Sequence, residues 1–305
     1  MSNQRSKGIV GIFVLITVLF VIFLVFAFYT VSSLKNSDHN SDALSGKTGS
    51  IAVVEVEGVI MDSKKSIRKL LKAEHDDSVK AIIVRVNSPG GAVGPTQEIY
   101  EEIVRIDKKK NVYASFGTVA ASGGYYIGAA CRKIYSNAGA MTGSIGVIMN
   151  FMNLSKIYEW AKVKPVIIKA GKYKDIGNAG RDMTNEERGL LTEMTESVHE
   201  QFIMDIFKRR ETRIIDGLEG LRKYAQGQIF SGQGAKERGL VDEIGGLWEA
   251  GRRIHAELKL EGKFGLKFIK LKKDFSFSDV ISGIEESVQD INFNIKHQAV
   301  PVLLL

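Results

Sequence analysis

Apolar and polar positions divide the chain into a continuous apolar run, an alternating body and a mixed tail. The run GIVGIFVLITVLFVIFLVFAF covers residues 8–28, inside a stretch without charge that reaches residue 34. As a helix rising ~1.5 Å per residue it spans roughly 31 Å, the thickness of a bilayer's hydrocarbon core. A cleavable signal peptide, the rival reading, has a shorter apolar core and a small-residue cleavage site, and no A-x-A site follows here. Residues 8–34 are therefore expected to be a transmembrane anchor. Arg5 and Lys7 keep residues 1–7 in the cytoplasm and send the rest outside it, which predicts a single-pass protein of the cell (inner) membrane. Residues 35–50, rich in Ser, Asp and Gly, read as a flexible linker.

The body alternates between strand and helix patterns. Residues 51–60, 79–87, 111–117 and 133–137 read as strands. Between them, Ile67, Leu70 and Leu71 fall at helical spacing, as do Ile99, Ile103 and Ile106, and TVAASGGYYIGAA (118–130) supplies a third helix. This order predicts an α/β fold of repeated right-handed βαβ units around a mostly parallel sheet. Residues 163–171 (VKPVIIKAG) read as a further strand. Thr184 and Glu187 form a capping box opening a long helix, with Leu191, Met194, Val198 and Phe202 on its buried stripe. The body is expected to be one domain, 51–258, followed by a basic, then apolar tail, 259–305.

Composition narrows the chemistry. The 305 residues are 44% hydrophobic and 25% charged with net charge +7, and no aromatic-studded basic stripe points to nucleic acid. Cys131 is the single cysteine, which excludes an intrachain disulfide and a CxxC metal site. No metal or cofactor is expected.

In a parallel sheet, ligands bind beyond the carboxyl ends of the strands. Two glycine-rich stretches fall there: NSPGG (87–91) after the second strand, and AASGG, with Ser122, after the third. Glycines leave backbone N–H groups free to face a ligand, so the pair suggests an oxyanion hole beside a hydroxyl nucleophile. Taken singly, each is as readily a tight turn or a packing contact. A serine nucleophile needs a base. None of His39, His75, His199, His255 and His297 lies in a glycine-rich loop, while Lys169, Lys172 and Lys174 cluster at one strand end. Spacing alone does not choose among these lysines.

RVNSPGG, AASGGYYIGAA, TGSIGVIM, AGKYKD and QIFSGQGAKERGLVDEIGG, in that order, closely resemble the signal peptide peptidase SppA family in its short, single-repeat form. The resemblance covers about residues 51–246. It implies a fold like the Clp protease proteolytic subunit and crotonase, and a membrane-anchored serine endopeptidase that degrades remnant signal peptides through a Ser–Lys dyad. Residue by residue it implies Ser122 as nucleophile, Lys174 as general base and Ser144 as the residue orienting that lysine. The N–H groups of Gly91 and Gly123 would form the oxyanion hole. It also implies a homo-oligomer, an octameric ring with each dyad completed between neighbours. That suits a lysine base, since lowering an amine's pKa by ~3 units takes desolvation or positive neighbours worth about 4 kcal/mol. Val93, Tyr125 and Ile145 are expected to line the substrate pockets; the tail is expected to pack on the domain or touch the membrane, with entry into a groove of its own ring as the alternative. The alternatives are an inactive membrane-anchored scaffold, which the Ser122, Ser144 and Lys174 set argues against, and a crotonase-type acyl-CoA enzyme.

Overall fold

A computed structural model describes residues 49–271; the expected anchor, the linker up to residue 48 and the apolar end of the tail lie outside the described residues. Among the described residues no helix is long and apolar enough to cross a membrane. The elements are β1 (Ile51–Glu57), α1 (Lys64–Glu74), β2 (Ala81–Ser88), α2 (Val93–Asp107), β3 (Asn111–Ala121), α3 (Gly123–Ala129), β4 (Ile134–Ser136) and β5 (Met141–Gly143). They continue as α4 (Ser155–Trp160), α5 (Asn185–Arg210), α6 (Gly217–Tyr224), β6 (Ile229–Ser231), α7 (Gly232–Lys236), β7 (Glu243–Ile244), α8 (Leu247–Glu257) and β8 (Leu266–Phe268).

Successive side chains on a strand point to opposite faces, and here both faces are apolar. Ala52, Val54 and Val56 of β1, with Ile82, Val84 and Val86 of β2, pack beneath Leu70 of α1, Ile99 and Ile103 of α2 and Phe202 of α5. Ile51, Val53 and Ile83 face the other way, onto Ala250 and Ile254 of α8. The strands run in the order β6-β5-β3-β2-β1-β8, with β4 joining β3 to β7 off that path. All pairings are parallel except β5 with β6. The α/β reading holds.

Strand β3 is the pivot of the sheet. Its middle, Ala114 to Phe116, pairs with β4, and its end, Val119 to Ala121, pairs with β5. Sequence reading stopped this strand at Gly117 and assigned 118–121 to the helix. The structure extends the strand to Ala121, and α3 begins only after Ser122.

Three other expectations need correction. Residues 163–169 form no strand: Val166 is 80% exposed and Ile168 97%. Their β-branched pattern states what suits a pleated, half-buried surface, and among the described residues no strand lies beside them. On α5 the capping box is present, yet Met194 is 50% exposed and Leu191 half-buried. Only from Val198 and Phe202 onward does that helix reach the core. The compact fold also runs past residue 258, because β8 pairs with β1 from Ile51↔Leu266 to Val53↔Phe268.

The QGAKERGLVDEIGG stretch closes the fold. Arg210, at the end of α5, is fully buried, and its guanidinium donates to both Asp242 carboxylate oxygens and to the Gly239 carbonyl. Asp242 also accepts from the Ile134 N–H at 2.7 Å, tying the end of α5 to β4.

Candidate active site

Three strand ends meet at one edge of the sheet. Ala121 pairs with Gly143, so Ser122 and Ser144 leave neighbouring parallel strands at the same level, and the Ser122 N–H donates to the Gly143 carbonyl at 2.8 Å. Both serines hold a positive φ, 55° at Ser122 and 50° at Ser144. With ψ at −119°, Ser122 sits where side-chain-bearing residues rarely go. Such a conformation persists only where the surroundings over-determine it, and it turns the side chain of this 8%-exposed serine out of the strand at the sheet edge.

Beside Ser122 stands the loop after β2. Ile60 bridges Gly91: its N–H donates to the Gly90 carbonyl at 2.9 Å and its carbonyl accepts from Ala92 at 2.7 Å. That pattern turns the Gly91 N–H away from Ile60, and among the described residues it has no acceptor. A Cβ at Gly91 would lie 2.1 Å from the Ile60 carbonyl oxygen, so glycine alone fits. The Gly123 N–H opens the first turn of α3 and is likewise without a partner among the described residues. A Cβ on Gly123 would lie 3.3 Å from the Gly90 Cα and 3.0 Å from Thr96 Oγ1. The glycine pair is thus what lets α3 close onto the NSPGG loop.

The frame behind is rigid. Tyr125 donates its hydroxyl to the Leu240 carbonyl at 3.0 Å, and Tyr126 donates to Asp205 at 2.7 Å while stacking on Tyr100 at 4.3 Å. Burial, reinforced at Tyr126 by the Asp205 carboxylate, drives both phenols far above their ordinary pKa, so neither acts as a base. Tyr125 and Ile145 are fully buried, which takes both out of a substrate pocket, whereas Val93 is as exposed as Ser122, at 8%. The Ser144 N–H donates to the Gln228 carbonyl at 2.6 Å and the Gly227 N–H to the Ile145 carbonyl at 3.0 Å. Sequence reading missed this role of the QGQ turn; the signal available was the glycine between two glutamines ahead of a β-branched residue.

The lysines divide. Lys169 pairs with Asp175, and Lys172 pairs with Glu186 at 2.5 Å, which raises its pKa. Lys174 is exposed, and among the described residues its ammonium makes no ion pair or hydrogen bond. No bond joins it to Ser122 or Ser144. Its neighbour Asp175 is the anchor of that loop, accepting from Lys169 and Arg181, and Arg181 in turn grips Glu187 of the capping box. A cleft of about 740 Å³ between residues 147–153 and the first turns of α5 is lined in part by Arg181 but by none of Ser122, Ser144, Lys169, Lys172 and Lys174. Among the described residues no cluster of His, Cys, Asp and Glu is arranged to hold a metal ion.

The description of peptidase family S49 matches residues 105–261. The chain belongs to this family. The Clp protease description matches residues 50–143, in accord with the βαβ body. A Synechocystis protein provisionally named a protease is 39% identical over 196 residues, 64% of this chain and 69% of that one. An Enterococcus faecium protein provisionally named signal peptide peptidase SppA is 33% identical over 69% of this chain and 64% of its own length. The chloroplastic serine protease SPPA of Arabidopsis thaliana is 30% identical over 78% of this chain, which spans 35% of that protein. Membership makes the chain a serine endopeptidase.

Proposed function

We propose that this endopeptidase cleaves peptides with a Ser122–Lys174 dyad, and that the lysine reaching each serine comes from a neighbouring copy. The observation that carries the reading is Ser122 itself: a strained serine at a strand end, flanked by the unpaired N–H groups of Gly91 and Gly123. Its Oγ attacks the scissile carbonyl as neutral Lys174 takes the proton, and the two N–H groups receive the developing oxyanion. Lys174 then passes the proton to the leaving amine and activates the water that releases the acyl group. Ser144, level with Ser122, orients the amine.

Sharing of the site is supported by what the single chain leaves exposed. Trp160 is 85% exposed, and Val166 and Ile168 stand out beside it on the segment that leads to Lys174. An apolar surface of this kind marks an association site. Packing it against a second copy gives the backbone of 164–169, without a hydrogen bond of its own among the described residues, a partner and removes Lys174 from water, the condition a lysine base requires. The arrangement repeats head to tail and closes as a ring, with eight copies by family likeness. Remnant signal peptides are the substrate class, and an N-terminal single-pass helix holds the ring at the outer side of the membrane.

Complementation tests the shared dyad. Ser122→Ala and Lys174→Ala are each inactive; co-expressed, they assemble sites with Ser122 from one copy and Lys174 from the next. About a quarter of wild-type activity is expected in randomly mixed rings, since each site draws one patch from each of two neighbours. Mixed rings of the right mass with no recovered activity would exclude the sharing, and an active Lys174→Ala protein would exclude the base.

A further inference from the structure

Strands β2 and β3 keep a constant register from Ala81↔Asn111 to Val86↔Phe116, and then it jumps: Ser88 faces Ala120. Two extra residues of β3 are taken up between Phe116 and Ala120. An even insertion leaves each side chain on its original face but shifts the strand back by two positions, roughly 6.6 Å at ~3.3 Å per residue. Carried forward, the shifted register sets Ser122 level with Gly90 and Gly123 level with Gly91. Without the bulge Ser122 would stand level with Ala92, beyond the free Gly91 N–H.

One side chain occupies the gap. Asn87 Oδ1 accepts from the Thr118 N–H at 3.2 Å and from the Val119 N–H at 3.3 Å, two groups that the bulge has removed from the ladder. Both partners are donors, so the atom facing them has to be the amide oxygen. Gly117 admits it: a Cβ there would lie 3.3 Å from Asn87 Oδ1 and 3.3 Å from Arg85 Nη2. Arg85 braces the strand just before the bulge, donating to Ser115 Oγ at 2.9 Å and to the Phe116 carbonyl at 3.1 Å. From the far side Asn137 donates to the Gly117 carbonyl at 3.2 Å, at the point where β3 changes partner from β4 to β5.

We propose that Asn87 is a positioning residue for the nucleophile, its side-chain oxygen holding the two-residue bulge that sets Ser122 beside both Ser144 and the Gly91 N–H. The inference rests on Ser122 being the attacking group. Asn87 touches neither substrate nor reacting atoms; its effect lies in where the serine stands when the carbonyl arrives. Losing it therefore lowers the rate of attack and leaves peptide binding largely intact.

The test uses the full assembled chain with Asn87→Ala and Asn87→Asp, the second keeping an acceptor at the same place. Asn87→Ala is expected to lower kcat about 10- to 100-fold, the cost of a displacement near 1 Å, with little change in KM. Labelling by a fluorophosphonate should slow in parallel, and Asn87→Asp should recover most of both. A folded Asn87→Ala enzyme with wild-type kcat and labelling rate overturns the proposal. So does a folded Asn87→Asp enzyme that is inactive, and this arm decides alone if Asn87→Ala does not fold. Labelling of Ser122→Ala under the same conditions separates the two claims: if it labels like wild type, the nucleophile assignment fails irrespective of Asn87.

Discussion

Replacing Ser122 with glycine and with alanine measures whether the backbone at this position is strained. At φ 55° and ψ −119° a residue with a Cβ costs of order 1–3 kcal/mol relative to a relaxed one. The Ser122 hydroxyl has no hydrogen-bond partner among the described residues, so its removal breaks none there. Ser122→Ala keeps the Cβ and the strain, whereas Ser122→Gly removes both. Against the relief stand the extra chain entropy of glycine, about 0.5–1 kcal/mol, and the lost burial of one methyl group, about 0.8 kcal/mol. The glycine variant should therefore lie between about 0.8 kcal/mol below the alanine variant and about 1.7 kcal/mol above it, where at a relaxed buried site it would fall below by about 1.3–1.8 kcal/mol.

The readout is thermal unfolding of the two full-length variants side by side. In a domain of this size 1 kcal/mol moves Tm by about 2–4 °C, so about 1–3 kcal/mol of strain places the glycine variant at least about 2 °C above where an unstrained site would put it. Both variants lack the hydroxyl and should be inactive. A glycine variant melting well below the alanine variant would show that Ser122 carries no backbone strain. The argument that the surroundings hold it against its preference would then fail. A glycine variant at or above it means that the wild-type chain gives up stability to present the serine, a trade common at catalytic positions.

Two more predictions concern the supports of the site. Asp242→Ala leaves the fully buried Arg210 guanidinium without its carboxylate and should cost about 3–5 kcal/mol by urea unfolding; a change below about 1 kcal/mol would mean that the pair does not hold the end of α5. The Lys174 loop should loosen in acid. Hydrogen bonds from Arg181 and the Thr184 N–H hold the Glu187 carboxyl down from 4.5 to about 2, and bonds from Arg181 and Lys169 depress Asp175 too. A depressed carboxylate stabilises fully above its unfolded pKa, and the contribution is lost as pH falls through the folded one. Amide hydrogen exchange across 171–183, corrected for the intrinsic rate, should be flat above about pH 4.5 and rise toward pH 2. A transition centred near neutrality would point to a different group.

The parts of the fold legible in the sequence are those that pack within one chain. Strands β1 and β2 are buried on both faces, so their runs of Val and Ile could be read directly, and Ile99, Ile103 and Ile106 of α2 all fall on the buried side as their spacing implies. The three-residue strands β5 and β6 gave no periodicity to read, although β5 places Ser144. The glycines of NSPGG and AASGG marked the site, because close approach leaves no room for a side chain at Gly91 and forces Gly123 against Thr96. Asn87 was read only as the head of a turn: a side chain replacing two missing ladder bonds has no signature apart from the bulge it fills.

Residues 163–169 are the instructive failure. Their composition asks for a pleated neighbour on both sides, and the described residues supply none; the same segment carries Ile168, 97% exposed, and runs into the loop of Lys174. A sequence pattern records the environment in which a segment works, whichever chain provides it. In the proposed ring a neighbouring copy would supply both the strand beside this segment and the surroundings of the base. The same reasoning explains why Ser122, Ser144, Gly91 and Gly123 come together inside one copy while Lys174 does not. The first four are set by register and by glycine contacts within the sheet, and the lysine lies in the loop that follows residues 163–169.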